Sequence, residues 1–337
     1  MTAKPTVAVF GAGSWGTALA MQLARNGLNV NLWGHRVDHI ERLIRERENS
    51  TYLPGIELNK NIRPTASMQD CLQHAQVVLI AIPSKTFREF LRSLKSHISP
   101  GIPIFWASKG FEIESGKFLH QLVCEELPGH HYGVVSGPTF ASEVARGLPA
   151  AITCAGDDDA ATSQFAGLLH GNRFRCYTSS DVIGVELGGA LKNILAIAVG
   201  VADGLGFGAN TRAALMTRGL SEVMRLGQNL GARQETLMGL AGLGDLILTC
   251  TDDQSRNRRF GLAIGKGKSI EEAEIEVGQT VEGLRAAKAI HIMSQELGLD
   301  LPIMAQVYYV LYEGKKPLDA VKSLEDRPQK AELGGRD

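Results

Sequence analysis

Cysteine is scarce in this chain, and neither sign of charge is in excess. Its five cysteines are an odd number, widely spaced and without a C-x-x-C motif. This pattern argues against a disulfide framework or a cysteine zinc site and favours a cytoplasmic location. Lys and Arg total 35 against 36 Asp and Glu, which argues against a broad surface for nucleic acid. The nine histidines are scattered, so the sequence predicts no metal site.

Long hydrophobic runs are scarce as well. The stretch 182–202 has about the length of a membrane span, which is roughly 20 residues, but Glu186, Lys192 and Asn193 interrupt it. A charge at the middle of a bilayer is costly. We therefore expect a buried helix and no membrane span.

The order of the predicted elements indicates an α/β fold. At roughly 150 residues per domain, 337 residues predict about two domains. Strand-like and helix-like segments alternate in the first half, which is typical of a parallel sheet covered by helices, whereas only helical periodicity follows residue 180. We expect a mostly parallel sheet domain over residues 1–185, an all-α domain over residues 186–325, and a polar, mobile tail over residues 326–337.

The individual elements are predicted from hydrophobic spacing and from the Gly and Pro residues near their ends. Strands are predicted at residues 6–10, 28–33, 76–82, 102–107, 132–135, 150–154 and 174–178. Helices are predicted at residues 14–26, 37–48, 87–98, 117–127, 160–169, 182–204, 211–230, 260–264, 281–297, 303–312 and 318–324.

A glycine-rich motif lies where the first predicted strand passes into the first helix. Gly11, Gly13 and Gly16 form G-x-G-x-x-G. The first glycine permits a tight turn, the second lets the backbone approach a pyrophosphate, and the third lets helix and strand pack closely. The free amides of the helix N-terminus would face the diphosphate. This context favours dinucleotide binding over the alternative, a glycine-rich turn without a ligand.

The end of the second predicted strand bears on the choice of dinucleotide. A carboxylate there would bind the ribose 2′-hydroxyl of NAD, but the sequence has His35 and Arg36, and Asp38 lies beyond them. Both side chains suit a 2′-phosphate. We expect a preference for NADP(H). NAD(H) is the alternative cofactor if Arg36 only lies at the start of the next helix, exposed to solvent.

Lys192 is the only charged residue between positions 187 and 202. A lysine in such an apolar helix must reach the surface, find a partner or face a polar cavity. Burial would lower its pKa towards the range of a general acid. Gly188 and Gly189, one turn earlier, leave room for another backbone or a ligand. The alternative is a lysine that emerges at the surface or pairs with a structural carboxylate.

Two further charged residues lie in positions that suit ligand binding. Lys109 directly follows a predicted strand, and open parallel sheets bind ligands at the carboxyl ends of their strands. The alternative is an exposed lysine in a loop, which is the commoner case. Asp245 stands between glycine and apolar residues. It could hold Lys192 in place or accept a substrate hydroxyl, and the alternative is a helix N-cap.

A basic loop at residues 255–259 precedes a short helical stretch. The hydroxyl of Ser255, the guanidinium of Arg256 and the amide of Asn257, all near a helix start, suit a phosphate group. In the alternative, the arginines are solvated partners of Asp252 and Asp253. The cluster favours a small phosphorylated ligand.

Six motifs, in order along the chain, resemble those of one family, the NAD(P)-dependent glycerol-3-phosphate dehydrogenases of the prokaryotic, biosynthetic type. The motifs are GAGSWG (11–16), SKG (108–110), SGPTFA (136–141), ELGGALKN (186–193), GLGD (242–245) and SRNR (255–258). The similarity runs through nearly the whole chain and is far more specific than the glycine motif alone.

The resemblance implies a Rossmann-like domain followed by an all-helical substrate domain. It implies reversible reduction of dihydroxyacetone phosphate to sn-glycerol 3-phosphate, which supplies the phospholipid backbone, with Lys192 as proton donor or acceptor. The substrate residues are then Lys109, Gly137, Thr139, Lys192, Asp245, Ser255, Arg256 and Asn257. The cofactor residues, with the glycines of the loop, are Gly11, Gly13, Ser14, Trp15, Gly16, His35, Arg36, Lys109, Ala141, Arg256, Thr280 and Glu282.

Two other functions stay open from the residues alone. A 3-hydroxyacid or ketopantoate reductase would also use Lys192 and Asn193 but would need a site for a carboxylate. A non-catalytic NADP(H) sensor could lose both its general acid and the residues that bind a substrate phosphate. In this chain the candidate acid, Lys192, and the candidate phosphate ligand, Arg256, are both present. The apolar helices of the second domain are compatible with a homodimer.

Overall fold

A computed structural model describes residues 4–329 of the protein, and the first half of the chain forms an eight-stranded sheet. The strands are β1 (Thr6–Phe10), β2 (Asn29–Trp33), β3 (Ile62–Thr65), β4 (Ala75–Ile80), β5 (Ile104–Trp106), β6 (Tyr132–Ser136), β7 (Ala150–Gly156) and β8 (Phe174–Ser179). Their order is β3-β2-β1-β4-β5-β6-β7-β8, and every neighbouring pair is parallel except β6 and β7. The predicted α/β fold with a mostly parallel sheet is confirmed.

Helices connect the strands and cover both faces of the sheet. They are α1 (Ser14–Arg25), α2 (Val37–Glu46), α3 (Met68–Leu72), α4 (Phe87–Lys95), α5 (Leu119–Glu126), α6 (Ala141–Arg146) and α7 (Asp159–Leu169). Along β1, Val7 and Val9 belong to the core on the α1 side, whereas Ala8 and Phe10 belong to the core on the α4 side. All four are fully buried. This two-sided burial explains why the central strands read as continuous apolar runs.

From Val182 onward the described chain is helical. The helices are α8 (Val182–Gly204), α9 (Ala209–Leu230), α10 (Gln234–Met238), α11 (Asp245–Thr251), α12 (Arg256–Gly265), α13 (Ile270–Val277), α14 (Glu282–Glu296), α15 (Pro302–Tyr312) and α16 (Pro317–Glu325). The central one is α8, and α9, α11, α12 and α14 pack around it. The carboxylate of Asp181 fixes its N-terminus by accepting hydrogen bonds from the backbone N–H groups of Gly184 and Arg233, both at 2.8 Å. A helical second domain is confirmed, and its exact boundary at residue 185 stays a prediction.

Among residues 4–329, α8 is the one helix long and apolar enough to cross a membrane, with a mean hydropathy of 1.7 over an 18-residue window. Of that window, 83% is buried inside the protein. Two glycines let neighbours approach it closely: a Cβ atom at Gly188 would overlap the carbonyl oxygen of Ala241, and one at Gly200 would overlap that of Arg258. The helix is apolar because other helices surround it, as predicted for a buried helix.

The sequence pattern does not predict β3 or the short helices α3, α6, α10, α11 and α13. β3 has four residues, contains Pro64 and lies at the edge of the sheet, so it offers too little apolar alternation to recognise. Of the predicted mobile tail, residues 330–337 lie outside the described part of the chain. Arg327, just before them, forms an ion pair with Asp300.

Candidate active site

The glycine-rich loop turns from β1 into α1 as the motif predicts. Gly11 has a φ of +122°, and a Cβ atom there would overlap the carbonyl oxygen of Ala81, so the position requires glycine. A Cβ atom at Gly16 would overlap the carbonyl oxygen of Gly11. At Gly13, by contrast, a Cβ atom would have no neighbouring protein atom within 4 Å. The packing therefore explains two of the glycines, and the third leaves the backbone open to a ligand at the helix N-terminus.

Two buried side chains that the sequence does not single out hold this loop. The carbonyl oxygen of Ala12 accepts hydrogen bonds from Nδ2 of Asn49 at 3.1 Å and from Nε2 of His39 at 3.2 Å. Asn49 is fully buried and also donates to Oγ1 of Thr17 at 2.8 Å. Asn49 lies 37 residues beyond Ala12 in the chain, so no local pattern could have revealed this contact. Both side chains fix the conformation in which the loop would receive a dinucleotide.

His35 and Arg36 lie at the exposed tip that follows β2. The Arg36 guanidinium pairs with the carboxylate of Asp38 at 2.6 Å, and both side chains are more than half exposed. Ion pairs of this exposure contribute little to stability because water solvates both partners. A phosphate of higher charge could therefore replace Asp38 as the partner of Arg36.

Two lysines and an aspartate form the charged centre of the site. Asp245 is completely buried. Its Oδ2 accepts a hydrogen bond from Nζ of Lys109 at 2.9 Å, and its Oδ1 accepts one from Nζ of Lys192. Lys192 is 8% exposed, so it does not emerge at the surface of α8. Asp245 is the first residue of α11 and follows Gly244, the N-cap position; its carboxylate thus serves the ammonium groups and not the helix cap.

Three segments bring these charges together. Lys109 follows β5 at the carboxyl edge of the sheet, where ligands bind in open parallel sheets. A π-helical turn, Leu240–Gly244, precedes Asp245 and packs on Gly188 of α8. The neighbouring Gly189 leaves space for Ser136 at the end of β6, whose Oγ would lie 2.7 Å from a Cβ atom at that position; Cδ of Lys109 would lie at 3.7 Å, an ordinary contact distance. The two glycines therefore let the turn of Asp245 and the end of β6 approach α8 closely, one turn before Lys192.

Burial and the neighbouring charges set the protonation of this centre. Burial lowers the pKa of Lys192 to about 7; the Asp245 carboxylate opposes the shift, and the positive charge of Lys109 adds to it. Burial also acts to lower the pKa of Lys109, but the attraction of Asp245 outweighs it, and that pKa lies above its usual range. Near neutral pH, Lys109 is therefore the fixed cation, and Lys192 is the lysine able to gain or lose a proton.

The segment after β6 lies against the same centre. A Cβ atom at Gly137 would lie 2.9 Å from the carbonyl oxygen of Ala151. Thr139 donates from Oγ1 to the carbonyl oxygen of Gly137 at 3.0 Å, which closes a turn. Pro138, between them, contacts the turn that precedes Asp245 at Gly244. Ala141 begins α6, which packs on α1 of the glycine-rich loop.

The three residues expected at the start of α12 have different surroundings. Ser255 accepts a hydrogen bond from the backbone N–H of Arg258 at 3.2 Å and caps α12. Asn257 donates to Oδ1 of Asn193 at 2.9 Å and accepts from the backbone N–H of Gly283 at 2.9 Å. Arg256 is partly exposed, and its guanidinium has one long contact, 3.5 Å to Gln279. Of the three, Arg256 has the side chain most available to a ligand.

Thr280 and Glu282 face Lys109 across a narrow pocket between the two domains. Glu282 also accepts a hydrogen bond from Nδ2 of Asn193 at 3.5 Å, which links it to the residue beside Lys192. The pocket is lined by Pro83, Ser84, Lys109, Gly110, Phe111, Asn193, Thr280, Glu282, Arg285 and Ala286. Pro83, Ser84 and Arg285 were not predicted, although Pro83 follows the carboxyl end of β4 and could have been recognised by the rule that identified Lys109. Within residues 4–329, no cluster of three potential metal ligands occurs.

Known proteins resemble this chain over nearly its whole length. The N-terminal model of the family "NAD-dependent glycerol-3-phosphate dehydrogenase" matches residues 6–162, and its C-terminal model matches residues 181–322. The NAD(P)+ glycerol-3-phosphate dehydrogenase of Thioalkalivibrio sulfidiphilus is 52% identical over 332 residues, which are 98% of this chain and 99% of that protein. The crystal structure of glycerol-3-phosphate dehydrogenase from Coxiella burnetii is similar with a TM-score of 0.93 at 44% identity, and the match covers 96% of this chain and 99% of that one.

A ketopantoate reductase from Ralstonia eutropha shares the fold alone. Its TM-score is 0.57 at 15% identity, with 94% of this chain and 99% of that chain covered. The low identity of this match shows a common two-domain architecture, whereas the preceding matches show membership of a family.

Proposed function

Because this chain belongs to the NAD-dependent glycerol-3-phosphate dehydrogenase family, we propose that Lys192 and Arg256 carry the reaction after which the family is named. The chain is an NAD(P)-dependent oxidoreductase that interconverts dihydroxyacetone phosphate and sn-glycerol 3-phosphate, a reaction that serves glycerophospholipid biosynthesis. The observation that supports the roles of these residues is the buried Lys192, paired with Asp245 at the carboxyl edge of the sheet. A general acid is needed there because reduction of a ketone produces an alkoxide.

The proton transfer follows from the arrangement of the two lysines. When bound, NAD(P)H supplies a hydride to the C2 carbonyl carbon of the substrate. Lys192 donates a proton from Nζ to the C2 oxygen as the carbonyl π bond breaks, and its side chain is left as a neutral amine. Lys109 stabilises the developing negative charge without giving up its proton, since its pKa is raised. Asp245 holds both ammonium groups, and in the reverse direction the neutral Lys192 accepts the proton from the C2 hydroxyl.

The remaining substrate contacts are assigned by their positions around this centre. We place the substrate phosphate at Arg256 and at the N-terminus of α12, and we assign Ser255 and Asn257 to the same subsite. Gly137 and Thr139 flank Pro138, which contacts the turn of Asp245 at Gly244, and we assign them to the substrate as well. Binding the phosphate away from the reacting carbon converts remote binding energy into orientation of the carbonyl.

The phosphate subsite is tested by comparing a substrate that carries the phosphate with one that lacks it. We expect Arg256→Ala to raise KM for dihydroxyacetone phosphate by about 10- to 100-fold, the effect of one or two charge-assisted hydrogen bonds. The kcat/KM for dihydroxyacetone should change little. Steady-state rates of NADPH oxidation measure both, and Arg259→Ala, on the exposed side of α12, is the matched control. Equal losses with both substrates would remove Arg256 from the phosphate subsite.

For the cofactor we propose that NADP(H) is preferred and that NAD(H) also binds. The supporting observations are the opening at Gly13 and the exposed Arg36, whose present partner Asp38 is weakly held. His35, Ser14, Trp15, Ala141, Thr280 and Glu282 complete the proposed cofactor contacts.

Removing Arg36 should change the discrimination between the two dinucleotides. We expect Arg36→Ala to raise the Kd for NADPH by about tenfold or more, the value of a charge-assisted contact to phosphate, and to leave the Kd for NADH almost unchanged. Titration of nicotinamide fluorescence measures both constants. Arg42→Ala, further along α2, is the control. An unchanged ratio of the two constants would contradict the preference for NADP(H).

We also propose a cytoplasmic homodimer that forms through the helical domain. Exposed apolar side chains on that domain, Ile275, Ile292, Tyr312 and Leu318, support this assembly. Light scattering coupled to size-exclusion chromatography gives the molar mass, and a monomer across the micromolar range would contradict the proposal.

A further inference from the structure

A buried arginine lies in the first turn of α12, two positions after Arg256. Arg258 is 8% exposed, and its guanidinium contacts oxygen atoms from three segments. Nη2 pairs with Oδ2 of Asp203 near the end of α8 at 2.6 Å, and Nε donates to the carbonyl oxygen of Cys250 in α11 at 3.1 Å. Nη1 pairs with Asp253 in the loop between α11 and α12. The side chain thus joins this loop to the central helix.

The backbone of Arg258 is fixed as well. Its N–H donates to Oγ of Ser255, and its carbonyl oxygen lies so close to Gly200 that a Cβ atom there would overlap it. The loop between α11 and α12, residues 252–255, and the first turn of α12 are therefore held to α8 by the side chain and the backbone of the same residue. Arg256 is the first residue of α12, directly after this loop and two positions before Arg258.

The chemistry of the arginine argues for a role in geometry. A buried ion pair contributes little net stability compared with well-packed apolar side chains, because desolvation of the charges offsets their attraction. The planar guanidinium, however, offers donors in a fixed fork and can hold several oxygens in one arrangement. Here those oxygens come from α8, α11 and the loop. The fork therefore fixes the position of the loop relative to α8, the helix that carries Lys192.

We propose that Arg258 is a positioning residue: it sets the affinity for the phosphorylated substrate by holding the start of α12, where Arg256 lies. The inference rests on the proposed phosphate subsite at Arg256. It assigns Arg258 no contact with the substrate, because its donors are engaged with Asp203, Asp253 and Cys250.

The chain offers a matched control in Arg212. Its Nη2 pairs with Oδ1 of the same Asp203 at 3.1 Å, but it lies on α9 and forms its hydrogen bonds only with Asp203 among the described residues. A variant at Arg212 removes one charge partner of Asp203 while leaving the contacts of Arg258 with Cys250 and Asp253 in place. Comparing variants of Arg212 and Arg258 therefore distinguishes the loss of a charge partner of Asp203 from the loss of the contacts that position the loop.

The experiment compares Arg258→Met, Arg258→Lys, Asp253→Asn and Arg212→Met in steady-state reduction of dihydroxyacetone phosphate and of dihydroxyacetone. We expect Arg258→Met to raise KM for the phosphorylated substrate about tenfold or more, with kcat and the kcat/KM for dihydroxyacetone within about threefold of wild type. Arg258→Lys keeps the positive charge but not the planar set of donors, so its KM should lie between those of wild type and Arg258→Met. Asp253 is largely exposed; Asp253→Asn should fold even if Arg258→Met does not, and should raise the same KM about threefold.

The outcomes separate this inference from the function on which it rests. A KM increase in Arg256→Ala without one in the Arg258 and Asp253 variants would overturn the positioning role and leave the phosphate subsite intact. The same KM increase in Arg212→Met, or parallel losses with both substrates, would show that the network only stabilises the domain. If Arg256→Ala itself leaves KM unchanged, the phosphate subsite is wrong, and the positioning role is overturned with it.

Discussion

Replacing Lys192 with alanine should lower kcat for the reduction of dihydroxyacetone phosphate by at least ~100-fold, the low end for loss of a general acid. The alkoxide that forms at C2 would lose its proton donor and one of its two positive neighbours, and water has limited access to a residue that is 8% exposed. Initial rates of NADPH oxidation at saturating substrate measure the change. Fluorescence titration with NADPH should give a nearly unchanged Kd, because the glycine-rich loop lies on a different element.

Lys288→Ala provides the control, because Lys288 is an exposed lysine of the same domain that lies near the ring of Tyr312. Its kcat should stay within about twofold of wild type, as for most surface substitutions. Near-normal turnover by Lys192→Ala would remove this lysine from the mechanism. A loss of both turnover and NADPH binding would indicate a folding defect, and Lys192→Met, which keeps the aliphatic stem, would then replace the alanine variant.

The lowered pKa of Lys192 gives the same residue a pH signature. Reduction requires the ammonium form, and burial lowers that pKa to about 7. After correction for ionisation of the substrate phosphate, kcat/KM for reduction should be level below about pH 7 and fall about tenfold per unit above it. Oxidation of glycerol 3-phosphate requires the neutral amine and should rise with pH over the same range. In Lys109→Met the inflection should move to higher pH, because the Lys109 charge is one cause of the lowered pKa; an unmoved inflection would assign it to another group.

The sequence predicts those parts of the site whose signal is local. Lys192 stands out because a charge is rare in an apolar helix, and Lys109 stands out because it follows the carboxyl end of a strand. The roles of the glycines at positions 11, 13 and 16 are predicted from their spacing. The central strands can also be predicted from the sequence, since strands that are buried on both faces have uninterrupted apolar runs.

The contacts that arrange the site are less predictable, because they join distant segments. The bonds from His39 and Asn49 to Ala12, and from Arg258 to Asp203, link residues that no spacing relates. Spacing alone explains Asp245 equally well as a helix cap or as a partner for Lys192; the packed structure decides for the partner. Thr280 and Glu282 were predicted only through the family resemblance, since a threonine and a glutamate around a helix N-terminus are typical of many helix starts.

Asp245→Asn should damage both stability and turnover, because it removes the carboxylate that two buried ammonium groups share. Loss of one partner from a buried ion pair typically lowers the free energy of unfolding by about 3–5 kcal/mol. Without Asp245, burial lowers the pKa of both lysines, so more of Lys192 is neutral at pH 7 and cannot donate a proton. We expect kcat for reduction to fall about fivefold or more, because a downward shift of one unit from about 7 leaves roughly a tenth of Lys192 protonated at pH 7 in place of about half. Urea denaturation and initial rates measure the two effects.

The pH dependence and a double variant identify the cause of this damage. In the Asp245→Asn protein both lysines have a lowered pKa when folded and the ordinary value when unfolded. The unfolded chain therefore binds more protons, so stability should rise with pH above about 7. Wild type shares the part of this rise that comes from Lys192, but Lys109 contributes only in the variant, so the difference in stability between the two proteins should narrow. Adding Lys109→Met removes one of the unpaired charges and should recover part of the stability. Turnover should stay low, because the double variant lacks the Lys109 charge that stabilises the developing alkoxide. If Asp245→Asn unfolds at the wild-type urea concentration at every pH, the carboxylate does not balance the two ammonium groups, and the charged centre would have to be assigned differently.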